Sequence, residues 1–274
     1  MAKTQMAQTK YICLITGASA GIGAAIAREY AARGWDLALT ARREAPMVKL
    51  ATELKNEFGT TSHIFPLDLS DLNATQDLVA RIEKKGIEID GLVNNAGFGH
   101  PGTYLESEWD DHAHSLQVML RAPCELAHAF SKGMVERGFG RIINVASLAG
   151  HMPGSKGHTT YAAIKSFLIK FSQSLNAELG SKGVHVSALC PGFTYSEFHD
   201  INDTRTAVSR LPDYMWMSAE EVAESGVDAC ERNKAVHITG RVNKGFAVLA
   251  RLLPEPIAEK IMAKNSDRIR KGET

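Results

Sequence analysis

The sequence predicts an α/β fold, a doubly wound domain built on a seven-stranded parallel sheet with helices on both faces. Three observations predict it. Short apolar runs alternate with stretches of helical periodicity, the pattern of repeated strand–helix–strand units. The first apolar run leads through a glycine-rich turn, Thr16-Gly17-Ala18-Ser19-Ala20-Gly21-Ile22-Gly23, into an Ala-rich helix. No Pro/Gly/Ser linker, composition shift or internal repeat divides the chain.

Each element follows from its residues. Tyr11–Ile15 is the first strand-like run, and Ile22–Arg33 reads as helix. Trp35–Thr40 is strand-like, and Glu44–Phe58 is a charged helix with Leu50 and Leu54 on one side. Ser62–Leu67 reads as strand. Asp71–Lys85 reads as helix, with Leu72, Val79 and Ile82 on one face and Gly86 as its stop. Gly91–Val93 is a short buried strand. Residues 106–137 form one long helical stretch, bent at Pro123 because proline removes a helix hydrogen bond. Arg141–Val145 is strand, 159–180 helix and Val184–Leu189 strand. Ser218-Ala219-Glu220-Glu221 is a capping box opening a helix to about Arg232, and Lys234–Ile238 is the last strand.

Composition excludes several function classes. The chain has 274 residues with 31 Lys and Arg against 31 Asp and Glu, so the formal charge is zero and a nucleic-acid partner is not expected. Cys13, Cys124, Cys190 and Cys230 are scattered without a CxxC pair, which fits reduced thiols in a cytoplasmic protein rather than a disulfide framework or zinc site. The apolar run after Lys10 is too short for a signal peptide, and no apolar stretch is long enough to span a bilayer. Ten His include no HExxH or similar cluster, so no metal is expected; His100, His151 and His158 fall in loops near the expected site mouth.

The glycine turn lies where a doubly wound sheet binds phosphates. Glycines let the backbone approach a pyrophosphate, and the helix N-terminus offers free N–H groups. Gly17, Ser19, Gly21, Ile22 and Gly23 are the contacts expected there. The second strand ends at Ala41-Arg42-Arg43, with no carboxylate before Glu44. Guanidinium groups suit a 2′-phosphate, so Arg42 and Arg43 predict NADP(H) over NAD(H).

Farther on stand Asn94-Asn95-Ala96-Gly97, Ser147, Tyr161-Ala162-Ala163-Ile164-Lys165 and Pro191-Gly192, at or beside the carboxyl ends of predicted strands. Tyr161 and Lys165, four apart, share one helix face. With TGASAGIG at 16–23, these motifs resemble the short-chain dehydrogenase/reductase family in its single-domain form, over roughly residues 11–240. The resemblance implies a Rossmann-type fold and hydride transfer between a nicotinamide and a carbonyl or alcohol, with Tyr161 as general acid/base. It also implies that Ser147 orients the substrate oxygen and that Lys165 holds the nicotinamide ribose. An ammonium beside a phenol favours the phenolate, so Lys165 is expected to lower the Tyr161 pKa. By the same resemblance Asp68, with Leu69 beside it, reads the adenine amino group. Asn94 lines the adenine-side ribose, Ala96 and Gly97 beside it also belong to the cofactor site, and the loop from Pro191 and Gly192 holds the carboxamide, with Thr194 and Ser196 the candidates.

The sequence departs from the family pattern in two places. Met119 stands where many members carry an Asn held to support a water relay, and a thioether cannot donate a hydrogen bond. Ser147 and Tyr161 are 14 apart, one more than usual, with the extra residue expected in the Gly154–His158 loop.

Residues 193–217 carry Phe193, Tyr195, Phe198, Leu211, Tyr214, Met215, Trp216 and Met217, which points to a lid over an apolar carbonyl or alcohol substrate. Residues 1–240 read as one dinucleotide-binding and catalytic domain. Residues 241–274 read as an extension packed on it or at the interface of a homodimer or homotetramer, with membrane-surface contact through 241–263 the less favoured reading. An NADP(H)-sensing protein without turnover is the alternative function, and a nucleotide-sugar epimerase or dehydratase is disfavoured because too few residues follow the sixth strand.

Overall fold

A computed structural model describes residues 10–99, 102–195, 212–254 and 257. Its centre is a seven-stranded parallel sheet in the order β3-β2-β1-β4-β5-β6-β9, the doubly wound arrangement the sequence predicts. The strands are β1 (Ile12–Thr16), β2 (Asp36–Ala41), β3 (Ser62–Pro66), β4 (Gly91–Asn94), β5 (Gly140–Val145), β6 (Val184–Cys190) and β9 (Val236–Ile238). Strand order reverses at β1, which pairs with β2 on one side and β4 on the other; a cleft outside the carboxyl ends is expected at such a point.

The helices are α1 (Gly21–Ala32), α2 (Glu44–Phe58), α3 (Ala74–Lys84), α4 (Trp109–Leu116), α5 (Ala122–Arg137), α6 (Thr159–Leu179), α7 (Ala219–Glu231) and α8 (Arg241–Leu252). One core joins α1, α2 and α7 to one face of the sheet through Ile26, Leu50 and Val222, and a second joins α3 and α5 to the other through Leu78, Leu126 and Met134. Burial on both faces explains why the strands read as unbroken apolar runs.

Three differences from the sequence reading have physical causes. Tyr11 and Trp35 precede their strands; they pack with Tyr30 and Phe139 in an aromatic group instead, ring centres 4.2–6.0 Å apart. The long helical stretch is not continuous. Gln117–Arg121 forms a π-helical turn between α4 and α5, and the Ala122 N–H reaches back five residues to the Gln117 carbonyl. Pro123 follows in the first turn of α5, and because it has no N–H, the wider turn lies just ahead of it rather than a bend on it. Finally, the segment read as a loop contains a two-stranded parallel ribbon, β7 (Phe193–Thr194) with β8 (Trp216–Met217). Ser196, Phe198 and Leu211 lie outside the described residues, as does His100.

Among the described residues no helix is long and apolar enough to cross a membrane. The four cysteines are free thiols, with Cys124 half-buried and the other three buried.

Candidate active site

A cleft of about 1030 Å³ runs across the carboxyl ends of the strands, from the loops after β2 and β3 to the loop after β6 and helix α8. Most of the residues singled out in the sequence meet on its wall.

The glycine turn forms the floor of one part. Gly17 and Gly21 have φ of +66° and +55°, open to glycine at little steric cost. A Cβ on Gly23 would stand 2.4 Å from the Gly17 carbonyl oxygen, so this helix can approach the turn only without a side chain. Ala20, the N-cap of α1, has no side chain to cap it, and the first turn holds no acidic residue. Its N–H groups and the positive end of the helix dipole therefore suit a phosphate. The cradle fits a dinucleotide pyrophosphate.

Asn95, missed among the candidates, locks this turn. Its Nδ2 donates to the carbonyls of Thr16 (3.0 Å) and Gly17 (3.2 Å), and its backbone N–H donates to Thr16 Oγ1 (2.9 Å). The signal was there: a polar residue at the tip of an otherwise apolar strand. Asn94 requires a correction. Its side chain is buried away from the cleft, donating to Asn144 Oδ1 (2.9 Å) and the Pro123 carbonyl (3.3 Å). In a strand the alternation of side chains sends neighbouring residues to opposite sides, so only one of the two Asn can face the ligand. Asn144 continues to Ser172 Oγ (2.9 Å), tying β4, β5 and α6 together.

Arg42 and Arg43 are exposed on the wall after β2, with Arg43 donating to Ser19 Oγ at 3.3 Å. Arg43 is the N-cap of α2, where a cation opposes the helix dipole. Asp68 and Leu69 line the cleft after β3; Asp68 Oδ1 also accepts the Ser70 N–H at 3.0 Å, as a turn carboxylate does. Ala96, Gly97, Pro191, Gly192 and Thr194 are on the wall, Thr194 being buried with its hydroxyl donating to the Gly192 carbonyl at 3.2 Å.

Ser147, Tyr161 and Lys165 meet in the middle. Ser147 follows β5, its Oγ accepting the Ala149 N–H at 3.1 Å and hydrogen-bonding the Tyr161 hydroxyl. Tyr161 sits in the first turn of α6, where the helix dipole favours a negative charge. One turn later Lys165 is buried, its Nζ 5.4 Å from the centre of the Tyr161 ring and donating to the Val145 carbonyl at 2.8 Å. Burial pushes the Tyr161 hydroxyl up to about 12, against the lowering pull of Ser147. Burial likewise brings Lys165 down to about 8, against the opposing pull of the Cys190 thiol. The expectation that Lys165 lowers the Tyr161 pKa is therefore not met here: desolvation dominates, the opposing pull comes from Ser147, and the phenol is held protonated.

Met119 is buried beside Val118, Ala122, Ile164 and Leu69, with the Tyr161 ring partly against the same cluster. Gln117, two residues earlier, donates from Nε2 to the Asp71 carbonyl at 3.5 Å. In the Gly154–His158 loop the His158 N–H donates to the Ser155 carbonyl. His114 and His158 line the cleft, whereas His112 is buried against the Tyr104 carbonyl (2.9 Å). Among the described residues no group of His, Cys, Asp and Glu could hold a metal ion.

The chain is similar to known proteins over most of its length. A family model described as short chain dehydrogenase matches residues 11–206. Nodulation protein G of Rhizobium sp. (strain N33) is 35% identical over 245 residues, 86% of this chain and 96% of that protein. The 3-oxoacyl-(acyl-carrier-protein) reductase of Escherichia coli (strain K12) is 32% identical over 244 residues, covering 86% and 96%. Among solved structures, a short-chain dehydrogenase from Sphingobium yanoikuyae in complex with NADPH superposes with a TM-score of 0.78 at 28% identity, covering 89% of this chain and 96% of that one. A bulky-bulky ketone specific alcohol dehydrogenase from Comamonas testosteroni gives 0.74 at 30% identity, covering 89% and 93%.

Proposed function

The chain belongs to the short chain dehydrogenase family, and from that footing we propose that it is an NADP(H)-dependent oxidoreductase interconverting an apolar ketone or aldehyde and its alcohol. The observation that carries the reading is the junction of Ser147, Tyr161 and Lys165 in the middle of a cleft that begins at a phosphate-sized glycine cradle. The NADPH named with the Sphingobium yanoikuyae enzyme and the ketone named with the Comamonas testosteroni enzyme point the same way. Arg42 and Arg43 supply the charge that a 2′-phosphate calls for.

When bound, the nicotinamide cofactor supplies or takes up the hydride. The protein's own task is the proton. Ser147 holds the substrate oxygen by a hydrogen bond. Tyr161, protonated at neutral pH, gives that oxygen its proton as negative charge develops there. The phenolate left behind is stabilised by the Lys165 ammonium and the N-terminal end of α6. In the alcohol-oxidising direction Tyr161 takes the proton back. An unperturbed phenol on a helix would lack both the hydroxyl partner and the cation, so the set acts as a unit.

NADPH oxidation against a panel of apolar ketones tests the reading. Wild-type protein is expected to turn over, and Tyr161→Phe to lose about 10²-fold or more of kcat while binding NADPH unchanged. Retained turnover in Tyr161→Phe would remove its acid/base role. NADPH binding without turnover of any carbonyl would favour a sensing protein instead.

A further inference from the structure

We infer that α8 is a wall of the substrate end of the cleft and that Phe246 on it selects carbonyl compounds bearing an aromatic ring. The inference rests on the oxidoreductase reading for the nature of the reacting group, but the wall itself follows from topology. Arg42 after β2 and Asp68 after β3 mark one end of the cleft. The strand β9 is the sheet edge opposite β3, and α8 begins three residues after it. A residue of α8 that reaches the cleft therefore reaches it at the end remote from Arg42.

The helix is fixed there. Asn243 is buried in its first turn and donates from Nδ2 to the Thr239 carbonyl at 2.9 Å. A Cβ on Gly192 would stand 2.4 Å from that same nitrogen, so α8 is seated directly on the Pro191-Gly192 turn. Phe246 lies three residues later, on a neighbouring part of the same face. It lines the cleft and stays 40% exposed.

Its companions on the wall are Phe193, Met152 and Met215. Phe193 is held by Trp216, ring centres 5.6 Å apart and tilted 44°, across the β7–β8 ribbon. Two rings and two thioethers from four separate segments thus line the cleft, with α8 lying against the turns at 148–151 and 213–215. Rings offer faces and edges to another ring, and thioethers adapt to it. A short alkyl group would cover little of this surface.

The test compares Phe246→Ala and Phe246→Leu with Val248→Ala, an exposed position on α8 outside the cleft wall. NADPH-dependent turnover of acetophenone and of butanone is measured, together with calorimetric binding of acetophenone to the NADP⁺-loaded protein. Phe246→Ala is expected to lower kcat/KM for acetophenone about tenfold or more relative to butanone, and to weaken acetophenone binding. Phe246→Leu falls between, and Val248→Ala changes neither. Equal effects on both ketones, or none, overturn the assignment. If wild type binds acetophenone through Phe246 but reduces neither ketone, the wall stands and the oxidoreductase reading falls. Turnover with an unchanged ratio and unchanged binding leaves that reading standing and removes the wall. Absence of both turnover and binding in wild type removes both.

Discussion

The Lys165 ammonium lies 5.4 Å from the centre of the Tyr161 ring, close enough to stabilise a phenolate yet anchored elsewhere, on the Val145 carbonyl. Its charge is the part of the site that pH can remove. Burial brings Lys165 down to about 8 and pushes Tyr161 up to about 12. As pH rises through 8, Lys165 loses its proton, the incipient phenolate loses its partner, and reduction slows. Tyr161 stays protonated over the same range and contributes no limb. The expected outcome is a kcat/KM profile for ketone reduction that is level near neutrality and falls above about pH 8, since this parameter reports the free enzyme. A profile level to pH 10 would remove Lys165 from the proton step.

On the proposed reading the choice of nucleotide turns on Arg42 and Arg43, both exposed. Arg42→Ala is expected to raise the Kd for NADPH about tenfold, the scale of one charge-assisted hydrogen bond, and to leave NADH binding where it was. Raising salt should shrink the difference, because exposed charges are screened. Fluorescence titration with both nucleotides checks it. Unchanged affinity for NADPH, with NADH still weak, would mean that the guanidinium groups are solvated ornaments of the α2 start.

Gly23 offers a steric test of the cradle. In Gly23→Ala the new methyl would stand 2.4 Å from the Gly17 carbonyl oxygen and from Asn95 Nδ2, so the turn or its clamp must move. NADPH affinity is expected to fall at least about tenfold, with loss of thermal stability. Gly245→Ala is the matched control: nothing lies within 4 Å of its added Cβ, and the α8 backbone should gain a little stability, about 0.5–1 kcal/mol. Equal NADPH affinity in both variants would place the cofactor elsewhere.

Much of this was legible in the sequence, for a physical reason. A sheet covered on both faces writes its strands as apolar runs, and a phosphate turn needs glycine where a Cβ would clash, so both leave marks that survive without a structure. Ser147, Tyr161 and Lys165 were singled out by the i, i+4 spacing and the family resemblance, and the structure brings the three together on the cleft wall. What the sequence hid depends on which way a side chain turns. Asn94 and Asn95 are the same residue type one position apart, and only strand alternation decides that Asn95 clamps the turn while Asn94 is buried behind it. Phe246 falls within the 241–274 extension, to which no site residue was assigned, since nothing local shows that Asn243 seats its helix against Gly192. The direction of the Tyr161 shift was also hidden: charge proximity is visible in a four-residue spacing, whereas desolvation depends on everything packed around the hydroxyl.

Met119 is where sequence and packing now give a directed expectation. A polar residue there was considered as a missing support for proton transfer, but the thioether occupies an apolar cluster with Val118, Ala122 and Ile164. It also fills the space above Gly97, where a Cβ would stand 3.1 Å from Sδ. Met119→Asn would bury an amide among these groups and leave part of the volume empty. A loss of about 1–3 kcal/mol is expected, read as a lower urea midpoint at unchanged m. No gain in kcat is expected, because Lys165 already has its hydrogen-bond acceptor in Val145. Should kcat instead rise while stability falls, the amide would be restoring a proton path that the thioether interrupts, and this chain would be a slow member of its family by virtue of one side chain.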